Sequence, residues 1–458
     1  MRVIVCGAGQ VGFNIAAYLS RENNDVTVID HNAAMIARVN AELDANGLVG
    51  SASSPEVLHA AGANDADMIV AVTHQDEVNM VACQVAHSLF NVPKKIARIR
   101  QQVYRDPAWA NLFSRAHMPI DVIISPEIEV AKAVDMRLSV PGTTSVTPMG
   151  DGNIYLCGVI CEQDCPLVNT PLKQLKELFP DTSVNIVTIV RKGNAFIPDG
   201  NDQMLIGDQV MFVADVSQLK RVLSGFGHEE KQANNVIIVG GGNIGLSLVN
   251  TIQAEHSNVN VKIIEYNRER ASRLSEILEN VLILNGSGLD RQVLEEANVE
   301  ETETLIAVTD DDETNILCSL LARQYGCERV IPLVNKDSYN VLTGSLGLGA
   351  VVSPKAITVS TIMRHVRRGR IKAVHNLLGN FGEILEIEAS ESIGIINVPL
   401  RDLNLPHGIL VCAILRGEEV IIPRGDNVIK AGDHVIILAM QGKASKVEKL
   451  FSAPVDIF

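Results

Sequence analysis

Residues 3–30, VIVCGAGQVGFNIAAYLSRENNDVTVID, and residues 236–265, VIIVGGGNIGLSLVNTIQAEHSNVNVKIIE, are two versions of one segment. Each reads as an apolar strand, a glycine-rich turn, a helix with apolar periodicity, and a second strand ending on a carboxylate. The likeness continues downstream. GSASSPEVLHAAGANDADMIVAVTHQDEVNMVACQVA from Gly50 tracks GSGLDRQVLEEANVEETETLIAVTDDDETNILCSLLA from Gly286, and both place an Asn, Asn79 or Asn315, at the opening of an apolar helix. IARIRQQVY from Ile96 pairs with IPLVNKDSY from Ile331, and ISPE from Ile124 with VSPK from Val352. A chain that repeats itself over such a span must build two copies of one domain.

The chemistry of the repeat is that of a nucleotide fold. Gly7 and Gly240 permit a tight turn, Gly9 and Gly242 let the backbone approach a pyrophosphate, and Gly12 and Gly245 let helix and strand pack closely. The phosphate then rests on amide groups at a helix N-terminus. G-x-G-x-x-G alone is a weak signal, but here the preceding strand, the following helix and the distant carboxylate all occur, twice. Asp30 and Glu265 stand where a carboxylate accepts both ribose hydroxyls of an adenosine and repels a 2′-phosphate. NAD(H) is therefore favoured over NADP(H), and ATP or ADP is equally compatible. Arg268 can relax that rejection or act simply as a solvated residue at a helix start.

A different pair of segments follows. NIVTIVRKGNAFIPDGNDQMLIGDQVMFVAD (Asn185–Asp215) resembles ILVCAILRGEEVIIPRGDNVIKAGDHVIILAM (Ile409–Met440), with short Val/Ile runs broken by Arg-x-Gly, Ile-Pro and Gly-Asp turns. TPLKQLKEL and VPLRDLNL supply a short helix before each. The expected architecture is two Rossmann-like, doubly wound parallel-sheet domains (1–135 and 229–370), each followed by a small α+β, β-rich domain (136–228 and 371–458). Composition agrees, because 47% hydrophobic residues with only 4% aromatics leave Val, Ile, Leu and Ala to form the core of buried parallel strands.

A net charge of −15 speaks against nucleic acid as a partner, since no basic stripe exists to meet a phosphate backbone. No signal peptide and no apolar run of spanning length is visible, so a cytoplasmic protein without its own transmembrane segment is expected. The eight cysteines are scattered, and reduced thiols are the expectation. Cys157, Cys161 and Cys165 are spaced to share one strand face, but the spacing matches no metal pattern and no metal site is assigned.

The halves differ at Arg98 and Arg100, which align with Leu333 and Asn335. Strand residues two apart share a face, so both arginines can meet phosphates at the strand's C-terminal edge; a surface pair bridging acidic neighbours is the alternative. Catalysis is what the chain lacks. The four repeated segments leave no separate substrate domain, and His74 after AVT has Asp310 as its counterpart, so no catalytic residue is assigned. A duplicated binder without an active site points to a sensor that moves domains on binding, rather than to an enzyme. An NAD-dependent oxidoreductase or a redox-sensing transcription regulator remain as alternatives; MRHVRRGRIKAV is the only arginine-rich stretch, short for a recognition helix.

GAGQVG with Asp30, the AVT–acid–ExNMVACQVA stretch, IARIR and the repeated R-x-G…I-P…G-D segment together resemble the RCK (TrkA-N plus TrkA-C) family, over essentially the whole chain. The resemblance implies a cytoplasmic protein, peripheral on the inner membrane, that forms a homo-oligomeric ring on a potassium-transporting subunit of TrkH or TrkG type. NAD(H), and in some members ATP/ADP, is then the gating ligand. By position, the resemblance assigns the first pocket to Gly7, Ala8, Gly9, Gln10, Val11, Gly12, Asp30, Ser51, Ala52, Thr73, His74 and Arg98, with Arg100 beside it. The second is assigned to Gly240, Gly241, Gly242, Asn243, Ile244, Gly245, Glu265, Ser287 and Thr309.

Overall fold

The computed structural model describes the chain apart from residues 23, 179–183, 337, 340, 341, 343–345, 349, 350, 367–370, 378–380, 392 and 452–458. Part of MRHVRRGRIKAV thus lies outside the described residues. The first repeat begins with β1 (Arg2–Cys6), α1 (Gln10–Arg21), β2 (Asp25–Asp30), α2 (Ala33–Glu42) and β3 (Asn46–Val49). It continues with α3 (Pro55–Ala60), β4 (Met68–Ala71), α4 (Asp76–Phe90), β5 (Lys94–Arg98), β6 (Val122–Ile124) and α5 (Pro126–Ser139). Its sheet has the order β3-β2-β1-β4-β5-β6, and every pairing is parallel. The strand runs are apolar without alternation because helices cover both faces; all four residues of MIVA in β4 are buried.

Next come β7 (Ser145–Met149), β8 (Ile154–Ile160), α6 (Leu172–Leu178), β9 (Val184–Arg191), β10 (Asn194–Phe196), β11 (Gln209–Asp215) and α7 (Leu219–Gly225), an antiparallel sheet of order β10-β9-β11-β8-β7. The second repeat rebuilds the plan with β12 (Asn235–Val239), α8 (Asn243–Glu255), β13 (Asn260–Glu265), α9 (Arg268–Ile277), β14 (Leu282–Asn285), α10 (Arg291–Glu296), β15 (Thr304–Ala307), α11 (Asp312–Gln324) and β16 (Arg329–Pro332). The parallel order is β14-β13-β12-β15-β16. A helix, Pro354–Val366, leads into the last sheet, β17 (Ile371–Leu377), β18 (Gly382–Glu388), β19 (Ile409–Arg416), β20 (Glu419–Ile421) and β21 (His434–Met440). Its order, β17-β18-β21-β19-β20, is that of the first antiparallel sheet read from the other end.

The compact units cut across the order of the repeats. One comprises Met1–Glu129 with Lys355–Gly369; the other comprises Val130–Pro354 with Arg370–Phe458. In the first unit, Val359, Ile362, Met363 and Val366 of the Pro354–Val366 helix are buried with Val3, Val5 and Val26 against the first parallel sheet. Their spacing of three and four puts them on one helical stripe, and each is worth about 1.5–3 kcal/mol relative to exposure. An acidic substitution at Ile362, fully buried, would break that seat. Within the second unit, α5 from Val130 on makes the complementary contacts: Asp135 Oδ1 is 2.9 Å from His256 Nε2, and Arg137 donates to the Val351 carbonyl at 3.0 Å.

The two antiparallel sheets of the second unit share a core. Met149, Ile154, Leu156, Val187, Met211 and Val213 are buried with Ile384, Cys412, Ala413, Leu415, Ile436 and Leu438. Val187 and Cys412 occupy matching bulges, each skipped in the ladder to its partner strand, and both are fully buried. A bulge re-aims one residue, here into the shared core. Each sheet also closes one turn with an ion pair: Arg191–Asp208 at 2.7 Å in the first, Arg416–Asp433 at 2.8 Å in the second.

All eight cysteines are free thiols and buried. The single strand face expected for Cys157, Cys161 and Cys165 is not what forms, because β8 ends at Ile160 and a turn closed by the Cys165 amide on the Glu162 carbonyl (3.2 Å) follows. That turn still returns Cys165 to the core that holds the other two. Among the described residues, no helix is long and apolar enough to cross a membrane.

Candidate functional site

The glycine loops are near-duplicates. Gly7 and Gly240 both have φ of +107°, and a Cβ on either would stand 3.0 Å from the amide nitrogen of Thr73 or Thr309. A Cβ on Gly12 would lie 1.8 Å from the Gly7 carbonyl oxygen, and one on Gly245 2.1 Å from that of Gly240, so helix and turn touch there. Gly9 and Gly242 are different: a Cβ on either meets nothing within 4 Å. The protein's own packing does not require glycine at these two positions, whereas a ligand approaching the loop does. They also cap α1 and α8 without a side-chain hydrogen bond and with no acidic residue in the first turn, which leaves the helix ends suited to an anion. Gln10 and Asn243 are exposed at those ends, Val11 and Ile244 half-buried.

Behind each loop sits its carboxylate. Asp30 Oδ2 accepts from the Ala8 amide at 2.7 Å and Oδ1 from the Asn32 amide at 2.8 Å. Glu265 repeats this with Gly241 at 2.8 Å and Asn267 at 2.7 Å. The extra methylene of Glu265 is absorbed by burial of its side chain, 5% exposed. Both carboxylates thus fasten the glycine loop to the end of the second strand.

At the other end, the loops after β4 and β15 are held by a buried amide each. Asn79 Oδ1 accepts from the Thr73 amide and hydroxyl at 2.9 and 2.7 Å; its Nδ2 donates to the Thr73 and Arg98 carbonyls at 3.2 and 2.9 Å. Asn315 makes the matching four bonds, with Thr309 and the Leu333 carbonyl. Asp76 accepts from the Arg100 and Gln101 amides, as Asp312 does from Asn335 and Lys336. Asp76 of QDEVN and Asp312 of DDETN are therefore framework, a role that spacing alone does not disclose. Ser51 is exposed, with its hydroxyl 2.9 Å from that of Ser53; Ala52 points into the core; Ser287 Oγ accepts from the Leu289 amide at 3.2 Å.

His74, exposed beside Thr73, lies within electrostatic reach of Arg98, Arg100 and Asp30. Its pKa is lowered, first by partial burial and then by the two guanidiniums, with Asp30 opposing. Arg98 is buried and donates from one terminal nitrogen to the Thr73 carbonyl at 2.7 Å. Burial, then Arg100, lowers its pKa, while Glu127 and Asp76 oppose. The shared strand face expected for Arg98 and Arg100 does not occur: β5 ends at Arg98, and Arg100 follows outside the strand with Nε 2.7 Å from Glu127 Oε1. Of the pair, Arg100 thus bridges an acidic neighbour.

Among the described residues, three buried polar atoms here are left without a hydrogen-bond partner: Arg98 Nε, Ser125 Oγ and Glu127 Oε2. Buried polar atoms are almost always satisfied, so this group at the strand ends is shaped for a ligand or water. Ser125 and Glu127 escaped the sequence reading, although ISPE and VSPK were its signal. In the second half, Leu333 is buried and Asn335 Nδ2 is bound to Asp312 at 3.1 Å, so no guanidinium occupies either position. Arg270 also escaped it; its guanidinium is 3.8 Å from Glu265 Oε2.

TrkA-N domain models match residues 3–126 and 236–354, and TrkA-C domain models match 159–227 and 384–452. The chain belongs to the TrkA family. A Trk system potassium uptake protein TrkA of Azorhizobium caulinodans is 47% identical, with both chains covered in full. Those of Halomonas elongata and Vibrio alginolyticus are 37% and 38% identical, covering 100% and 98% of each chain. Among solved structures, the RCK domain of GsuK superposes with a TM-score of 0.61 at 16% identity, covering 98% of this chain and 94% of that one. A GsuK channel bound to NAD gives 0.59 at 16% identity, over 98% and 78%. These last two likenesses establish the RCK fold.

Proposed function

We propose that this chain is a regulatory subunit of a Trk-type potassium uptake system and binds adenine nucleotides, NAD(H) and ATP or ADP, in its two glycine-loop pockets. The observation that carries this reading is the room left at Gly9 and Gly242, beside unblocked helix N-termini and above a carboxylate in each copy. The unpaired Arg98 Nε adds an anion-seeking group to the first pocket. The names of the full-length relatives, and the NAD in one GsuK channel, support the assignment to potassium transport and to nucleotide. In this reading the chain has no catalytic role and divides into four domains at 135, 228 and 370. It assembles as a homo-oligomeric ring on the cytoplasmic face of a membrane subunit of TrkH or TrkG type. Nucleotide acts by binding two arrangements of the domains unequally.

The test is calorimetric titration of the full chain with NADH, NAD, ATP and ADP, paired with potassium uptake in cells that lack the gene. We expect Asp30→Ala to remove first-pocket binding and spare the second, and uptake to depend on the protein. Uptake that is indifferent to the deletion would sink the transport reading; heat-silent titrations with all four nucleotides would sink the nucleotide reading.

A further inference from the structure

The two pockets carry their cationic side chains at opposite ends. The first has Arg98 and Arg100 where the second has Leu333 and Asn335, beyond the loop at the phosphate end. The second has Arg268 and Arg270 at the start of α9, where the first has Ala33 and Met35 at the start of α2, beside the ribose carboxylate.

Other changes gather at that same end of the second pocket. Asn285 donates its side-chain amide to the Glu265 and Tyr266 carbonyls at 2.9 and 3.2 Å, a clamp that the matching Val49 cannot make. Tyr266 is thereby held by its backbone while its side chain is 82% exposed. An aromatic ring fixed at its base and left bare beside a nucleotide carboxylate is a platform for a base. Glu265 itself is spent: each oxygen accepts a backbone amide, and Arg270 stands 3.8 Å away. Asp30 accepts the same two backbone amides, but the ionisable side chain beside it is the His31 ring, 3.4 Å away, where Glu265 has an arginine.

A carboxylate at this position rejects a ribose phosphate by charge, and an arginine nearby reverses the preference. The guanidinium fork also matches phosphate oxygens better than any other side chain does. We propose that the second pocket takes an adenine dinucleotide with a phosphate on its adenosine ribose, of the NADP(H) type, held by Arg268 and Arg270 with Tyr266 against the adenine. The first pocket is selective for the ligand without that phosphate. This rests on the nucleotide-binding reading above and, for the second pocket, puts the ribose-phosphorylated dinucleotide ahead of NAD(H) as the preferred ligand.

The test titrates the full chain with NADPH and, separately, with NADH, then repeats both on an Arg268→Ala/Arg270→Met variant. Both side chains are exposed, and a thermal melt unchanged from wild type reports that the variant is folded. We expect one NADPH per chain, and in the variant an NADPH affinity that falls about tenfold or more beyond any fall for NADH. NADH binding without NADPH binding, two equivalent NADPH per chain, or an equal loss of both ligands would each overturn the inference. A chain that binds neither ligand would overturn the nucleotide reading itself, and this inference with it.

Discussion

Thr73 and Asn79 are joined by three hydrogen bonds, at 2.9, 2.7 and 3.2 Å, that tie the end of β4 to the first turn of α4. Asn79 is fully buried, and Thr309 with Asn315 repeats the arrangement in the second copy. We expect Asn79→Ala to cost about 3 kcal/mol, because the part-buried Thr73 groups and the buried Arg98 carbonyl all lose their partner at once. Asn315→Ala should cost a similar amount in the second copy. Urea denaturation of each variant checks this; a loss under about 1 kcal/mol would show that the loop relaxes around the missing amide.

The glycines of each loop should separate folding from binding. Gly12→Ala drives a methyl into the Gly7 carbonyl and should lower the melting temperature by several degrees or prevent folding. Gly9→Ala meets open space within 4 Å, so the melting temperature should stay near wild type while first-pocket nucleotide binding weakens. Thermal melts and titration of the same two variants decide it. Equal damage to both properties in Gly9→Ala would contradict a ligand-dictated glycine.

His74 should make binding depend on pH. In the free protein its imidazole is held below the ordinary 6.5 by burial and by Arg98 and Arg100. A bound phosphate favours the imidazolium, so binding takes up a proton. Affinity should then rise as pH falls through the bound-state pKa and level off below the lowered free-state value. Stability of the free protein runs the other way: the unfolded chain holds this proton more tightly, so stability falls as pH drops from 6.5 toward the lowered value. Titrations between about pH 5.5 and 8, on wild type and His74→Ala, should show a slope only in the former.

Asp208 and Asp433 are each almost fully buried, while their partners Arg191 and Arg416 are about one-third exposed. Removing the arginine strands a buried carboxylate, so Arg191→Ala and Arg416→Ala should each destabilise by about 3 kcal/mol. The Asp208 carboxylate also accepts from the Leu205 amide at 2.8 Å, and Asp433 from Lys430 at 2.7 Å. A double variant, Arg191→Ala/Asp208→Ala, should therefore remain destabilised rather than recover, because the turn amides stay unmet. Recovery to wild-type stability would show that the pair acts by charge alone.

The legible parts of this molecule are those written locally. The tight turns at Gly7 and Gly240, the helices that start after Gly9 and Gly242, and the carboxylates of Asp30 and Glu265 follow from backbone sterics and short spacing. The repeat placed the second copy of each. Less legible were groups whose meaning depends on a partner far along the chain. Asp76 reads as an acid at a helix start and proves to receive the Arg100 and Gln101 amides; Glu127 reads as another and proves to meet Arg100. Arg100 was misplaced because strand alternation was carried two residues past the point where β5 ends.

What the sequence by itself determined is the pair of Rossmann-like folds, the small β-rich domains between and after them, and the carboxylate that ends the second strand of each copy. These rest on directional, short-range rules. Only the tertiary structure decided that the Pro354–Val366 helix belongs with the first parallel sheet, and that the two antiparallel sheets share a core through the bulges at Val187 and Cys412. Apolar burial is non-directional: a stripe such as Val359, Ile362, Met363 and Val366 specifies that it must be covered, and the choice of surface is made by shape in the folded chain.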